Sequence, residues 1–141
     1  MNAYSLRRLC WAGPAATLLA LLADEGYYFA TRSLGEQYLL PQDGNLAHSS
    51  PMPVLLPILA ILAAGLAATV FFALLTRFSP APASVFLSVA ITALVLSFGA
   101  PFNLPNSPLM TKLLLSGMQV IAAVFISGGI LWMSHKKKQV P

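Results

Sequence analysis

Charge is scarce in this chain. It has four Asp or Glu and eight Lys or Arg, 9% of its 141 residues, where a soluble domain carries about 25% to keep its surface wet. That shortage excludes an ordinary soluble domain. Cysteine is scarcer still: the single Cys10 excludes an internal disulfide and any thiolate cluster. The two histidines, His48 and His135, stand far apart in different segments and cannot converge on a metal with one thiol. No Ser/His/Asp set can be placed, no glycine-rich phosphate loop follows a strand, and there is no CxxC, so no enzyme class, metal or cofactor is implied. The basic balance, net +4, is spread over the ends of apolar runs. It therefore speaks for membrane topology and not for a nucleic-acid partner.

Apolar length is what the chain has in abundance. Hydrophobic residues make up 57% of it, gathered in four runs at about 9–31, 53–76, 84–102 and 109–133. A bilayer core about 30 Å thick needs about 20 helical residues at 1.5 Å each, and all four runs qualify. Basic residues set their direction. Arg7, Arg8, Arg77, Lys136, Lys137 and Lys138 fall on one side of the alternation, Arg32 and Lys112 on the other. That imbalance predicts both termini and the second connection in the cytoplasm. Trp11 and Trp132 at one boundary, with Tyr27, Tyr28 and Phe102 at the other, give aromatic belts at the same depths. The Lys136-Lys137-Lys138 tail serves as a topology anchor that anionic lipid also suits.

Prolines punctuate the runs. Pro51, Pro53 and Pro57 lead into the second span, Ser79-Pro80-Ala81-Pro82 makes a tight turn, and Pro101, Asn103, Pro105, Asn106 and Pro108 stiffen the last connection. Short connections force antiparallel neighbours, so the expected fold is all-α: one domain over 1–141, an integral membrane four-helix bundle running up-down-up-down. The segment 33–52, with turn signals at Gly35, Pro41, Asp43-Gly44 and Ser49-Ser50, is too short for a core of its own. It is expected to pack over the outer mouth of the bundle or to bind a partner. Arg7-Arg8 before an apolar run is also a signal-peptide pattern. Leu21, however, stands where cleavage after Ala23 wants a small residue, so the first span is expected to be retained.

Asp24 and Glu25 are the sharpest feature. Two adjacent carboxyls inside an apolar run are expensive, and intramembrane acids are functional candidates by default. One reading is a proton or cation site. The other places the pair about one turn below the outer interface, within reach of headgroups, with Asp24, Tyr28 and Arg32 at four-residue spacing along one helix face. Small and polar side chains mark expected helix contacts: Ala60, Ala64 and Ala68 beside Gly65 in the second span, Ser84, Ser88 and Thr92 in the third, and Ser116, Gln119, Ala123 and Ser127 in the fourth. In lipid, close backbone approach and interhelical hydrogen bonds drive such association. Gln119, the most polar residue near the middle of its span, needs partners, either hydroxyls of a neighbouring helix or the carbonyl of a bound quinone or pigment.

The second half carries a further pattern. A third span ending in Leu96-Ser97-Phe98-Gly99-Ala100-Pro101 is followed by a short loop, then by a span with Met118-Gln119 among small and β-branched residues through Ile130. This resembles the bacterial family labelled domain of unknown function 6069, uncharacterised four-span membrane proteins, over most of the chain. The resemblance implies that Ser97 and Pro101 match the serine and proline closing the family's third span. It likewise implies that Met118-Gln119 matches a Met-His pair, and Asp24 a polar residue, commonly asparagine. Gln119 and Asp24 depart from that pattern, so a titratable or metallic ligand held there in the family would not be held in the same way here. The resemblance implies an architecture and no activity.

The expected protein is thus a multi-pass component of a bacterial cytoplasmic membrane. It is read as a non-enzymatic subunit or scaffold packing against partner transmembrane helices or a second copy of itself. A small transporter or channel using Asp24 and Glu25 is the alternative, and a quinone- or pigment-binding accessory subunit of an electron-transfer complex is a third reading. Placement discriminates between the first two. Carboxyls facing a cavity between helices favour transport; carboxyls at the interface or paired with Arg32 favour the scaffold.

Overall fold

The computed structural model describes residues 4–36, 38–42, 45–104 and 107–135, without the side chains of 41–49. The Asp43-Gly44 turn, Pro105-Asn106, the side chain of His48 and the Lys136-Lys137-Lys138 tail lie outside it. Four helical segments are long and apolar enough to cross a membrane: Leu6–Ser33, Leu55–Phe78, Pro82–Phe102 and Leu109–Ser134. They are numbered α1 (Leu6–Ser33), α2 (Leu55–Phe78), α3 (Pro82–Ser97) with its short continuation α4 (Gly99–Phe102), and α5 (Leu109–Ser134).

Proline accounts for where the helices begin and break. Pro82 opens α3 at its first turn, where a missing N–H has no partner to lose. Pro57 sits in the first turn of α2 for the same reason. The third span was expected to be continuous, yet it is interrupted at Phe98. Pro101 has no N–H to give to the carbonyl of Ser97, four residues back, and its ring crowds that carbonyl, so the helix restarts as α4.

Segment 33–52 contains an element that the sequence did not announce. Strand β1 (Leu39–Gln42) pairs antiparallel with β2 (Asn45–Pro51), Leu39 opposite Pro51 and Leu40 opposite Ser50. The hairpin folds back onto the bundle through Met52, whose N–H donates to the Tyr38 carbonyl at 2.8 Å. Tyr38 and Met52 are buried with Tyr28, Leu114 and Met118 in one apolar cluster.

The helices form a ring in the order α1, α2, α3, α5, and α5 closes it against α1. The main core joins Leu9, Ala12, Ala16 and Ala20 of α1 to Ile61 and Phe72 of α2, Phe86 of α3 and Ile126 and Ile130 of α5. Close approach in this core rests on small residues. Gly13 of α1 lies against Thr69 of α2, and Gly65 of α2 lies against Thr17 of α1. Each threonine hydroxyl donates within its own helix, Thr17 to the Gly13 carbonyl at 2.8 Å and Thr69 to the Gly65 carbonyl at 2.7 Å. The polar atoms are therefore satisfied, while the methyl-bearing body of each threonine fills the notch of the opposing glycine. On the other side, a Cβ on Gly129 of α5 would come within 2.7 Å of Ala16 Cβ. This is the packing by small residues that lipid favours.

Both chain ends meet at one end of the bundle. Tyr4 bridges His135, the Ser5 N–H donates to the Ser134 carbonyl, and Arg8 Nη1 donates to the His135 carbonyl at 2.9 Å. The hairpin lies at the opposite end.

Candidate functional site

The buried positions of α1 are Leu9, Ala12, Gly13, Ala16, Thr17, Ala20, Asp24 and Tyr28, a stripe with steps of one, three or four residues. Helical periodicity thus carries Asp24 to the inside, one turn beyond Ala20. Its side chain is 1% exposed, and its Oδ1 has no hydrogen-bond partner among the described residues. Glu25, about 100° further round, has both carboxylate oxygens buried and likewise partnerless. Tyr28 is buried, packed with Tyr38, Met52, Leu114 and Met118. Its hydroxyl donates to the Met52 carbonyl at 3.3 Å and accepts from Arg32 Nη1 at 3.0 Å. Arg32 therefore serves Tyr28, one turn away, and not Asp24. Above them Tyr38 stacks at 4.8 Å on Tyr28 and bonds Thr31 Oγ1 at 2.6 Å. Burial pushes the Tyr38 phenol up from its ordinary value, so it stays neutral and available for that bond.

Asp24 forms part of the wall of a cavity of about 850 Å³ that runs between α2, α3 and α5, within the roughly 300–1,000 Å³ of small-molecule sites. It extends along α2 from Leu56 to Phe71, about 22 Å at 1.5 Å per residue. The cavity exists because of how α3 is held. At one end Pro82 and Phe86 are buried, with Phe86 against Phe72 at 4.9 Å; at the other Pro101 is buried. Between these anchors α3 offers Ala90, Ala93 and Ser97 to the interior, facing Ala60, Ala64, Ala67 and Ala68 of α2 and Ala122 and Ala123 of α5. Methyl groups on three facing helices leave the space between them unfilled. Ala60, Ala64 and Ala93 are exposed, so the groove has an open side.

Three further polar residues, Ser97, Gln119 and Ser127, stand on the wall. Ser97 Oγ lies 2.7 Å from the Leu94 carbonyl oxygen and 3.1 Å from Gln119 Oε1, joining α3 to α5. Ser127 donates to the Ala123 carbonyl. The other positions read from the sequence fall elsewhere. Ser116 donates to the Lys112 carbonyl at 2.8 Å and does not line the cavity. Ser84, Ser88 and Thr92 are exposed on the outward face of α3, with the Thr92 hydroxyl on the Ser88 carbonyl at 2.9 Å. Ala60, Ala64, Ala68 and Ala123 line the cavity, whereas Gly65 makes the close contact of α2 with α1. Sequence reasoning passed over Gly13, Thr17 and Thr69. The signal was there: the same Gly-x-x-x-Thr spacing occurs at 13–17 and at 65–69. No group of three or more His, Cys, Asp or Glu among the described residues could hold a metal ion.

Four apolar helices spanning a membrane thickness, joined by short turns and one hairpin, define a multi-pass membrane protein in contact with lipid. More particularly, the model of a family of unknown function, DUF6069, matches residues 4–131, and the chain belongs to that family. No curated protein and no solved structure matches it.

Proposed function

We propose that this chain is a non-enzymatic membrane protein that takes a lipophilic small molecule from the bilayer into the groove beneath α3, as the binding step of a small transporter. The observation that carries this reading is a buried carboxyl on the wall of a long apolar groove. Asp24 turns inward onto that wall and has neither Arg32 nor another partner at its Oδ1 among the described residues. Packing alone gives no reason to hold an acid there, and unpaired carboxyls in hydrocarbon are costly enough to be rare without a function. The distribution of basic residues supports an orientation with both termini on the cytoplasmic face of the membrane. Entry is sideways, because exposed alanines border the groove on α2 and α3.

The test uses the full chain in nanodiscs, incubated with dodecylammonium, dodecanol and dodecanoate and analysed by native mass spectrometry. At least one probe is expected to remain bound at one per chain. Ala64→Phe together with Ala93→Phe, which places two rings in the groove, is expected to abolish that retention. Retention of no probe, or retention indifferent to the two rings, would overturn the binding reading.

A second reading, a subunit or scaffold packed against partner helices or a second copy, is supported by the outward face of α3. Ser84, Ser88 and Thr92 put small polar groups where a lone helix would present only hydrocarbon to lipid. The two readings are compatible, since that stripe and the groove lie on opposite faces of α3. A quinone is the poorer occupant. It brings carbonyl acceptors to a wall where the Ser97 and Ser127 hydroxyls already have acceptors, which leaves the Gln119 amide as donor.

A further inference from the structure

The cavity wall has a charge pattern of its own. Among the described lining residues Asp24 alone is ionisable, and none is Lys, Arg or His. Three of the described cations bond elsewhere: Arg32 on the Tyr28 hydroxyl, Lys112 Nζ on the Phe102 carbonyl at 3.3 Å, and Arg8 on the His135 carbonyl. The wall's hydroxyl donors are also turned away from it, Ser97 toward Leu94 and Ser127 toward Ala123. Asp24 Oδ1 is thus a buried acceptor with no donor. The rest of the polar wall repeats the same sign. Ser97 is the last residue of α3, where the helix dipole leaves partial negative charge. Its carbonyl also lacks the usual helical donor, because residue 101 is proline. Among the described lining residues the Gln119 amide is the remaining side-chain donor along a groove that is otherwise methyl and methylene.

We infer that the ligand of this groove is a lipophilic ammonium whose N–H group takes Asp24 as its counter-ion, with its apolar body lying along the alanine wall toward Phe71 and Phe86. The inference rests on the binding reading above and names the class of ligand. An anion of the same shape would meet a like charge. A lipophile without a donor would fill the groove and leave the buried oxygen unpaired, the state that costs most, and a neutral donor such as an alcohol would pair with it in a weaker bond than a charged donor makes. An amine supplies at one point both the positive charge and the donor that Asp24 lacks. Charge-assisted hydrogen bonds of this kind are the strong ones.

The same three probes decide it. They share one alkyl chain and differ in the head group, so the groove's apolar contribution cancels between them. Dodecylammonium is expected to be retained about ten- to a hundredfold more strongly than dodecanol, the range for a hydrogen bond to a charged group, with dodecanoate weakest. Asp24→Asn, which keeps the side chain's shape, is expected to remove the ammonium preference and leave dodecanol retention unchanged. Asp24→Glu keeps the charge and is expected to keep the preference, which guards against a variant that merely misfolds. Glu25→Gln lies off the cavity wall and is expected to leave the order of the probes intact. Equal retention of the ammonium and the alcohol, or a preference that survives Asp24→Asn, would overturn the inference while the binding reading stood. Retention of none of the three would overturn both.

Discussion

At the residue scale, the fold depends most on atoms that are absent. A methyl group on Gly13 or Gly65 would collide with the body of Thr69 or Thr17. Neither threonine can swing aside freely, because each hydroxyl is bonded to its own helix and each side chain is branched at Cβ. Gly65→Ala is therefore expected to destabilise by about 1–3 kcal/mol, the usual range for overpacking, and to lower the thermal midpoint in detergent. Gly26→Ala, with nothing within 4 Å of the added carbon, is the control and should be neutral or slightly stabilising, since alanine is the better helix former. Tyr28→Phe removes both the bond to the Met52 carbonyl and the acceptor for Arg32. About 1 kcal/mol is expected for one such bond, read as earlier melting of the hairpin end. Sequence alone marked Asp24 because an acid in an apolar run is conspicuous. That its oxygen has no partner follows from the positions of three other helices, and no local pattern encodes that. The alanines are ambiguous for a related reason. Small residues at helical spacing mean close contact if the helices come together and a void if they are held apart, and the spacing is the same in both cases.

At the element scale, the spans were legible because length and apolarity suffice to define them. The break in the third span was less so. By sequence Pro101 belongs to the stiff last connection, whereas it sits inside α4 and ends α3 four residues before itself. Pro101→Ala would supply the missing N–H to the Ser97 carbonyl. The expected outcome is a continuous helix across Phe98, seen as slow amide exchange at residue 101. The variant is also expected to shift ammonium binding in the groove, because it removes an acceptor from the wall. The hairpin of β1 and β2 escaped the sequence reading because main-chain pairing holds it, and its residues show little of the alternation that announces a half-buried strand. Its anchoring to the bundle by Tyr38 and Met52 is a tertiary event.

At the scale of the whole molecule, short connections set which helices are antiparallel, and the structure adds the order around the ring. Since Tyr4 and His135 touch, reporters fused to the two ends must signal the same compartment. A reporter inserted in the hairpin should signal the opposite one, and a split result would contradict the four-span arrangement. The closure of α5 on α1 has a consequence for how the chain is made. The first helix to leave the ribosome finds its main partner in the last. While α2 and α3 are still being synthesised, Asp24 and Glu25 must wait in the membrane without α5 beside them. Synthesis runs at about 5–20 residues per second, so the 75 residues between Ser33 and Leu109 amount to several seconds. Throughout that interval α1 is an acid-bearing helix in search of a neighbour, and it is then that an insertase or a chaperone of the bilayer has the most to do.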